Sequence, residues 1–332
     1  MKKIFKVGGL FSGVGGLELG FLKNKNYQIS WANEFDKYCA RTYRANFNHN
    51  FIEKDINELS GNNLSDVDVL VGGFPCQAFS VAGYQKGFED HRGNVFFQII
   101  RIINELKQKP KVLLLENVKN IYTHDNKRTF KTIRETLETN GYCVFSEIMN
   151  TCEYTQIPQN RERTFIFCFL EGRDAYMDHT KQMSSHFQKI FPPKKKDKLK
   201  PMENFLEKKE INDKFFYRQD KYNYKELTES IKKKNTFYQW RRVYVRETKN
   251  GVCPTLTANM GTGGHNVPLI KDDNGIRKLT PRECFNLQGF PKNFKLPNNV
   301  PNSQLYKQAG NSVTVAIIQR FAEIIYDCLS SN

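Results

Sequence analysis

Short apolar runs alternate with segments of helical period along the first half of the chain, which is the rhythm of strand–helix–strand units in a parallel sheet. Ile4 to Leu10 reads as a first strand, a glycine loop follows, and Leu17 to Leu22 opens a helix. Gln28 to Asn33 reads as a second strand and ends in Glu34. The runs 67–71 and 111–115 are β-branched or Leu-rich and bounded by polar residues, the pattern of strands buried on both faces. Helices are predicted across Asn94 to Lys107, before Pro110, and across Lys127 to Thr139, stopped by Gly141. Thr164 to Leu170 reads as the last strand of this block.

Beyond residue 171 the rhythm stops. From 172 to about 270, lysine runs such as 194–196 and 232–234 are interleaved with Phe215-Phe216-Tyr217 and Phe237-Tyr238-Gln239-Trp240. A glycine-rich turn closes the segment at Gly261-Thr262-Gly263-Gly264-His265. Val313 to Leu329 returns to helical spacing. A chain of 332 residues has room for one large domain and a smaller one.

Charge sharpens this division. The net charge is +16, and residues 181–250 hold 20 Lys plus Arg against 9 Asp plus Glu, so 20 − 9 = +11 of it sits in one segment. An AT-rich genome would spread such an excess more evenly. Basic residues among aromatics fit a polyanion such as nucleic acid. The eight cysteines have no C-x-x-C spacing and no close pairing with histidine, which argues against a zinc site or a disulfide framework and for a reducing compartment. Met1-Lys2-Lys3 imitates the start of a signal peptide, but Lys6, the glycines up to Gly16 and Glu18 break the apolar stretch behind it. No run reaches membrane-spanning length, and a cytoplasmic protein is expected.

The chemistry concentrates at two predicted strand ends. Gly72-Gly73-Phe74-Pro75-Cys76-Gln77 sets a thiol on a proline-stiffened loop, and Glu116-Asn117-Val118 sets a carboxylate at another strand end. Function collects at the carboxyl ends of strands in open α/β sheets. A reactive thiolate needs cations or donors nearby, and Arg161 and Arg163 are candidates that alternate on one short extended stretch. Most cysteines only fill space, but the Gly, Pro and Gln neighbours of Cys76 suit an ordered loop.

With these residues in view, the chain resembles the DNA (cytosine-5)-methyltransferases of the compact bacterial restriction-modification type. The ordered blocks are Phe11-Ser12-Gly13-Val14-Gly15-Gly16, Gly72 to Ser80, Glu116-Asn117-Val118 and Gln159-Asn160-Arg161-Glu162-Arg163. Pro281-Arg282-Glu283-Cys284, Leu287-Gln288-Gly289-Phe290-Pro291 and Gln308-Ala309-Gly310-Asn311-Ser312-Val313 follow. The resemblance implies an α/β fold, a class I S-adenosylmethionine-dependent methyltransferase (Rossmann-like) sheet with a second, smaller target-recognition domain. It implies a catalytic and cofactor-binding domain over 1–171, completed by 303–332, and a target-recognition domain with hinge over 172–302.

The same resemblance implies roles. Cys76 would attack carbon 6 of cytosine, Glu116 would serve ring nitrogen 3, and Arg161 and Arg163 would present forks to the base or to phosphate. S-adenosylmethionine would be held by Phe11, Gly13, Gly15, Gly16, Glu34, Phe35, Asp55, Ile56, Pro75, Asn311 and Val313, with Glu34 on the ribose and Asp55 on the adenine amino group. Gln77, Ser80, Gln239, Arg241, Arg242, Arg246, Thr255, Gly263 and Gly264 would meet double-stranded DNA. The loop from Ala78 to Arg92, with Gly83 and Gly87 as hinges, would close over a flipped cytosine. Thr255 through Asn266 resembles recognition segments of enzymes acting at CC-containing sites such as CCNGG or CCGG. A monomer is expected, with a cognate restriction endonuclease acting separately.

One departure stands out. Members often carry an Asp in the first strand before the glycine loop, where this chain has Gly8-Gly9. Rival readings are a transfer-RNA methyltransferase, whose characteristic Cys-Phe-Thr tripeptide is absent, and a catalytically silent DNA-binding protein, which has no reason to keep Cys76, Glu116, Arg161 and Arg163 together.

Overall fold

The computed structural model describes residues 3–75, 95–170 and 190–330, apart from 196, 222, 242 and 263–265. In chain order its elements are β1 (Phe5–Leu10), α1 (Gly16–Leu22), β2 (Tyr27–Glu34), α2 (Lys37–Arg44), β3 (Asn50–Glu53) and β4 (Val69–Gly73). Then come α3 (Val95–Glu105), β5 (Val112–Val118), α4 (Arg128–Thr139), β6 (Tyr142–Asn150), the single turn α5 (Thr151–Tyr154) and β7 (Glu162–Leu170). The remainder holds α6 (Tyr224–Ser230), β8 (Tyr238–Trp240), β9 (Val245–Glu247), β10 (Leu269–Asp272), β11 (Gly275–Lys278), α7 (Pro281–Leu287), α8 (Asn302–Asn311) and α9 (Val315–Ser330).

Two compact units result. The first comprises the described parts of Met1–Met149 and Glu162–Pro193 with the chain from Ile317 onward; the second comprises Asn150–Arg161 and Lys194–Ala316. Residues 150–161 and 303–316 thus group with the second unit, whereas the sequence assigned both to the first domain.

The first unit is built on a seven-stranded sheet of order β3-β2-β1-β4-β5-β7-β6. β1 pairs in parallel with β2 and with β4, β2 with β3, and β4 with β5. Reversal at β1, with β2 on one side and β4 on the other, is the switch point of a doubly wound fold, where the strand ends open a crevice. β7 runs antiparallel beside β5, from Val112↔Phe169 to Val118↔Arg163, a direction that the strand–helix rhythm does not report. The connection 151–161 carries only the one turn of α5, too little for the crossover that a parallel return requires. The core runs through Leu10, Trp31, Leu70, Leu113, Leu115 and Ile166, with Phe96, Ile99 and Ile103 of α3 packed in. Gly20 of α1 lies so close to Ile318 of α9 that a Cβ there would stand 2.5 Å from that side chain, which explains a glycine inside a helix.

The second unit is organised on a four-stranded sheet of order β11-β10-β8-β9. Its small core gathers Leu227, Ile231, Tyr238, Leu269 and Ile276. α7 begins with a complete capping box, in which the Thr280 hydroxyl accepts from Glu283 N–H and the Glu283 carboxylate accepts from Thr280 N–H. Glu283 also accepts both forks of Arg277 at 2.8 Å, and neither side chain reaches solvent. A buried pair of this kind holds only when every polar atom is matched.

Candidate active site and cofactor cleft

The strand ends of the first unit gather most of the site. β4 and β5 pair Gly73 opposite Glu116, so a carboxylate on the fifth strand stands beside the last residue of the fourth. Glu116 Oε1 lies 3.1 Å from Arg163 Nε, and both side chains are largely buried. Glu116 Oε2 stands over Gly73, 3.5 Å from where a Cβ on that glycine would be. Asn117 donates to the Phe74 carbonyl at 2.9 Å and accepts from Val118 N–H, which pins the chain just before Pro75. Pro75 itself is exposed. Sequence reasoning quoted Asn117 in a motif without giving it this task.

The carboxyl ends of β1 and β2 have their own order. Phe11 takes φ 53, Gly13 φ 55 and Gly15 φ 87, so the chain turns sharply between β1 and α1, and Gly13 has open space where a Cβ would point. Glu34 ends β2 buried; one oxygen accepts from Gly13 N–H and the other from Phe35 and Asp36 N–H, all at 2.9 Å. Burial pushes its carboxyl pKa up, against the pull of those three donors. Asp36 caps α2 by accepting from Tyr38 and Cys39 N–H. Phe35 is 66% exposed at this edge. Asp55 follows β3 and accepts from Asn57 N–H, while Ile56 beside it is a core residue at 5% exposure. Gly16 starts α1 and is buried.

The two arginines part company, against the expectation that they share a face. Arg161 lies in the second unit, 2% exposed, and spends its fork on main-chain carbonyls: Nη1 on Leu256, Nη2 on Gly310 and Ser312. Arg163 lies on β7 of the first unit and engages Glu116. Regular alternation fails here because β7 begins only at Glu162. Other motif glutamines are likewise knitted inside the second unit. Gln159 donates to the Leu287 carbonyl, Gln288 to the Ala309 carbonyl, and Leu256 N–H donates to Gln159.

Asn311 and Val313 sit in the second unit, Asn311 exposed and Val313 buried. Gln239 and Arg246 face each other across β8 and β9, the guanidinium donating to the amide oxygen at 2.5 Å. Arg241 is exposed at the hairpin that follows β8, and the Thr255 hydroxyl donates to the Asn160 carbonyl. Cys76, Gln77, Ser80, Arg242, Gly263 and Gly264, with the loop 78–92, lie outside the described residues. Among the described residues no group of His, Cys, Asp and Glu could hold a metal ion, and no helix is long and apolar enough to cross a membrane.

A doubly wound sheet with a glycine turn after β1, a buried acid ending β2 and a carboxylate–guanidinium pair at the neighbouring strand ends fits the class I methyltransferase fold. The family model for C-5 cytosine-specific DNA methylases matches residues 5–327, and the chain belongs to that family. It is 49% identical over 325 residues to the type II methyltransferase M.Bsp6I of Bacillus sp. (strain RFL6), covering 97% of this chain and 99% of that protein. It is 35% identical to M.HhaI of Haemophilus parahaemolyticus, covering 94% and 91% of the two chains. Among solved structures, the S. pombe Dnmt2 methyltransferase superposes with a TM-score of 0.73 over 98% of this chain and 99% of its own, at 18% identity, a likeness of fold. The protein is therefore a DNA (cytosine-5)-methyltransferase, and S-adenosylmethionine is its methyl donor.

Proposed function

We propose that this enzyme methylates carbon 5 of a cytosine flipped out of duplex DNA, through a covalent bond to Cys76, as the modification arm of a type II restriction-modification system. The pairing of Gly73 with Glu116, with Arg163 on the carboxylate, is the observation that carries this reading. It sets the acid beside the strand that runs directly into Pro75 and Cys76.

Cysteine and carboxylate then divide the work. The Cys76 thiolate adds to carbon 6 of cytosine, and the ring's electrons shift toward carbon 5 and nitrogen 3. Glu116 shares a proton with nitrogen 3 as that charge develops, and Arg163 holds the carboxyl in one orientation. S-adenosylmethionine, when bound, supplies the methyl group as an electrophile on a cationic sulfur. Loss of the carbon 5 proton then expels Cys76 and restores the ring.

The strand order supports the lie of the donor. Asp55 follows β3, Glu34 ends β2, the glycine turn follows β1, Pro75 follows β4 and Glu116 is on β5. Adenine by Asp55 and ribose by Glu34 would leave the methyl-bearing end above β1 and β4, next to the acceptor. The open space at Gly13 and the fixed Glu34 carboxylate fit such a ligand. Phe11, Gly15, Gly16 and Phe35 complete the proposed set within the first unit, while Ile56 supports it from the core. The second unit reads the sequence, with Gln239, Arg241, Arg242, Arg246 and Thr255 as proposed contacts and a CC-containing target such as CCNGG or CCGG. We expect a cytoplasmic monomer whose partner endonuclease acts separately.

The test is incubation with S-adenosylmethionine and mixed-sequence duplex DNA, followed by bisulfite mapping, with Cys76→Ala in parallel. Methylation at one short site, abolished in the variant, is the expected result. Undiminished methylation by Cys76→Ala would remove the covalent step, and a site without CC would overturn the proposed target.

A further inference from the structure

Gly9 faces a space that no side chain of β1 fills. A Cβ on Gly9 would stand 2.1 Å from Glu18 Oε1, 3.1 Å from Glu18 Cδ and 2.7 Å from Ser12 Oγ. The carboxyl of α1 therefore occupies the volume a β1 side chain would take. Glu18 is 0% exposed, and among the described residues it forms no ion pair. The Ser12 hydroxyl lies alongside, yet neither it nor either carboxyl oxygen closes a hydrogen bond of normal geometry. A carboxyl buried in that state is costly unless it keeps a proton or gains a positive charge.

We propose that Glu18 is a positioning residue for the methyl donor: from α1 it places a carboxyl beside Gly9 of β1, and it serves as counter-charge to the donor's cationic end. This rests on the proposed lie of S-adenosylmethionine across the strand ends, with its sulfonium above β1.

The surroundings fit a group that waits for a cation. Burial pushes the Glu18 pKa up to about 7, the Ser12 hydroxyl and the main-chain N–H of Glu18 itself pull against that rise, and the charge of Glu34 on β2 adds to it. From α2, Tyr43 faces it; burial and the charge of Glu18 keep that phenol protonated, and its hydroxyl meets His49 Nε2 at 2.5 Å. Burial lowers His49 to about 4, so this imidazole is neutral at working pH and offers no charge. A ligand cation above β1 would draw the proton off Glu18, so donor affinity rises with pH up to about 7 and levels off above it. S-adenosylhomocysteine has the same ammonium without the sulfonium and gains less. Glu18 would thereby favour donor over product.

Calorimetric titration of wild type and Glu18→Gln with both ligands between pH 6 and 8 tests this. In wild type the ratio of donor to product affinity should climb several-fold, at most about tenfold per pH unit below the group's pKa, and in Glu18→Gln it should stay flat. Relocating the acid gives a second reading: Glu18→Ala should lose the climb, and Gly9→Asp with Glu18→Ala should recover it. Gly9→Asp alone should impair binding of both ligands, since it meets Glu18. A wild-type climb that persists in Glu18→Gln overturns the inference, as does a relocated carboxyl that restores nothing. Wild type that binds neither ligand would instead overturn the lie of the donor. Should the variants fail to fold, proton release by wild type at pH 6.5, measured in two buffers of different ionisation enthalpy, decides. Greater release with donor than with product supports Glu18, and equal release overturns it.

Discussion

At the scale of single residues, the two arginines of Gln159-Asn160-Arg161-Glu162-Arg163 show how one motif spends neighbouring side chains differently, one on main-chain carbonyls and one on a strand-end carboxylate. Arg161 is buried and satisfies three carbonyls, those of Leu256, Gly310 and Ser312. Arg161→Met keeps the bulk but strands those acceptors, at about 1 kcal/mol or more each, so a loss of roughly 3 kcal/mol in urea denaturation is expected. Arg163 orients Glu116 at 3.1 Å. Arg163→Gln takes the charge from beside a largely buried carboxylate, so it should lower the melting temperature and, in the protein that stays folded, slow methyl transfer about a hundredfold in single-turnover assays, the scale of losing one charge-stabilising donor. A rate unchanged in Arg163→Gln would show that Glu116 needs no guide. Residue types told where the acid and the arginines were, because Glu and Arg at these positions have few bland reasons to be there. They did not tell which arginine meets the acid, since both belong to one polar run and only the start of β7 separates them. Glu18 escaped notice because an acid early in a helix reads as an ordinary solvated residue.

At the scale of elements, close backbone approach decides what can change. A Cβ on Gly310 of α8 would lie 2.2 Å from Thr257 C, 2.3 Å from its oxygen and 2.4 Å from Ala258 N, all main-chain atoms that cannot rotate away. Gly310→Ala should therefore cost about 1–3 kcal/mol or more in denaturant melts, as overpacking does. Gly72→Ala on β4 is the control, because its nearest neighbour would be Leu10 O at 3.4 Å, an ordinary contact, and little change is expected. Apolar periodicity revealed the buried parallel strands and α1, α3, α4 and α9 to within a few residues, because each carries one continuous hydrophobic stripe or run. It was silent on β3 and α8, whose faces are mixed, and on the three- and four-residue strands of the second unit, too short to display a period. The direction of β7 was not legible either, because alternation reports burial and not polarity.

At the scale of the whole molecule, the +16 charge is a reservoir from which only some residues are available to DNA. Lysine runs drew attention in the sequence, yet in the second unit Lys233 pairs with Glu247, Lys234 with Asp273 and Lys209 with Glu207. A lysine already facing an acid releases few counterions from a phosphate backbone, since binding must first break or share that pair. Arg241 differs in setting: it is exposed at a hairpin tip beside Val243 and Tyr244, which are 85% and 55% exposed. If that hairpin enters the DNA interface, Arg241→Gln should lower the slope of log affinity against log salt by about one unit, and Lys234→Gln should leave it almost unchanged. Fluorescence anisotropy on a cognate duplex between 50 and 200 mM salt, on the order of the range where such slopes are read, measures both. Equal slopes for the two variants would mean that total charge governs association and that ion pairs within the unit open freely on binding. A drop confined to Arg241→Gln, accompanied by relaxed choice of target in the bisulfite map, would make this arginine a reader of base edges, whereas a uniform fall in affinity across sequences would limit it to phosphate.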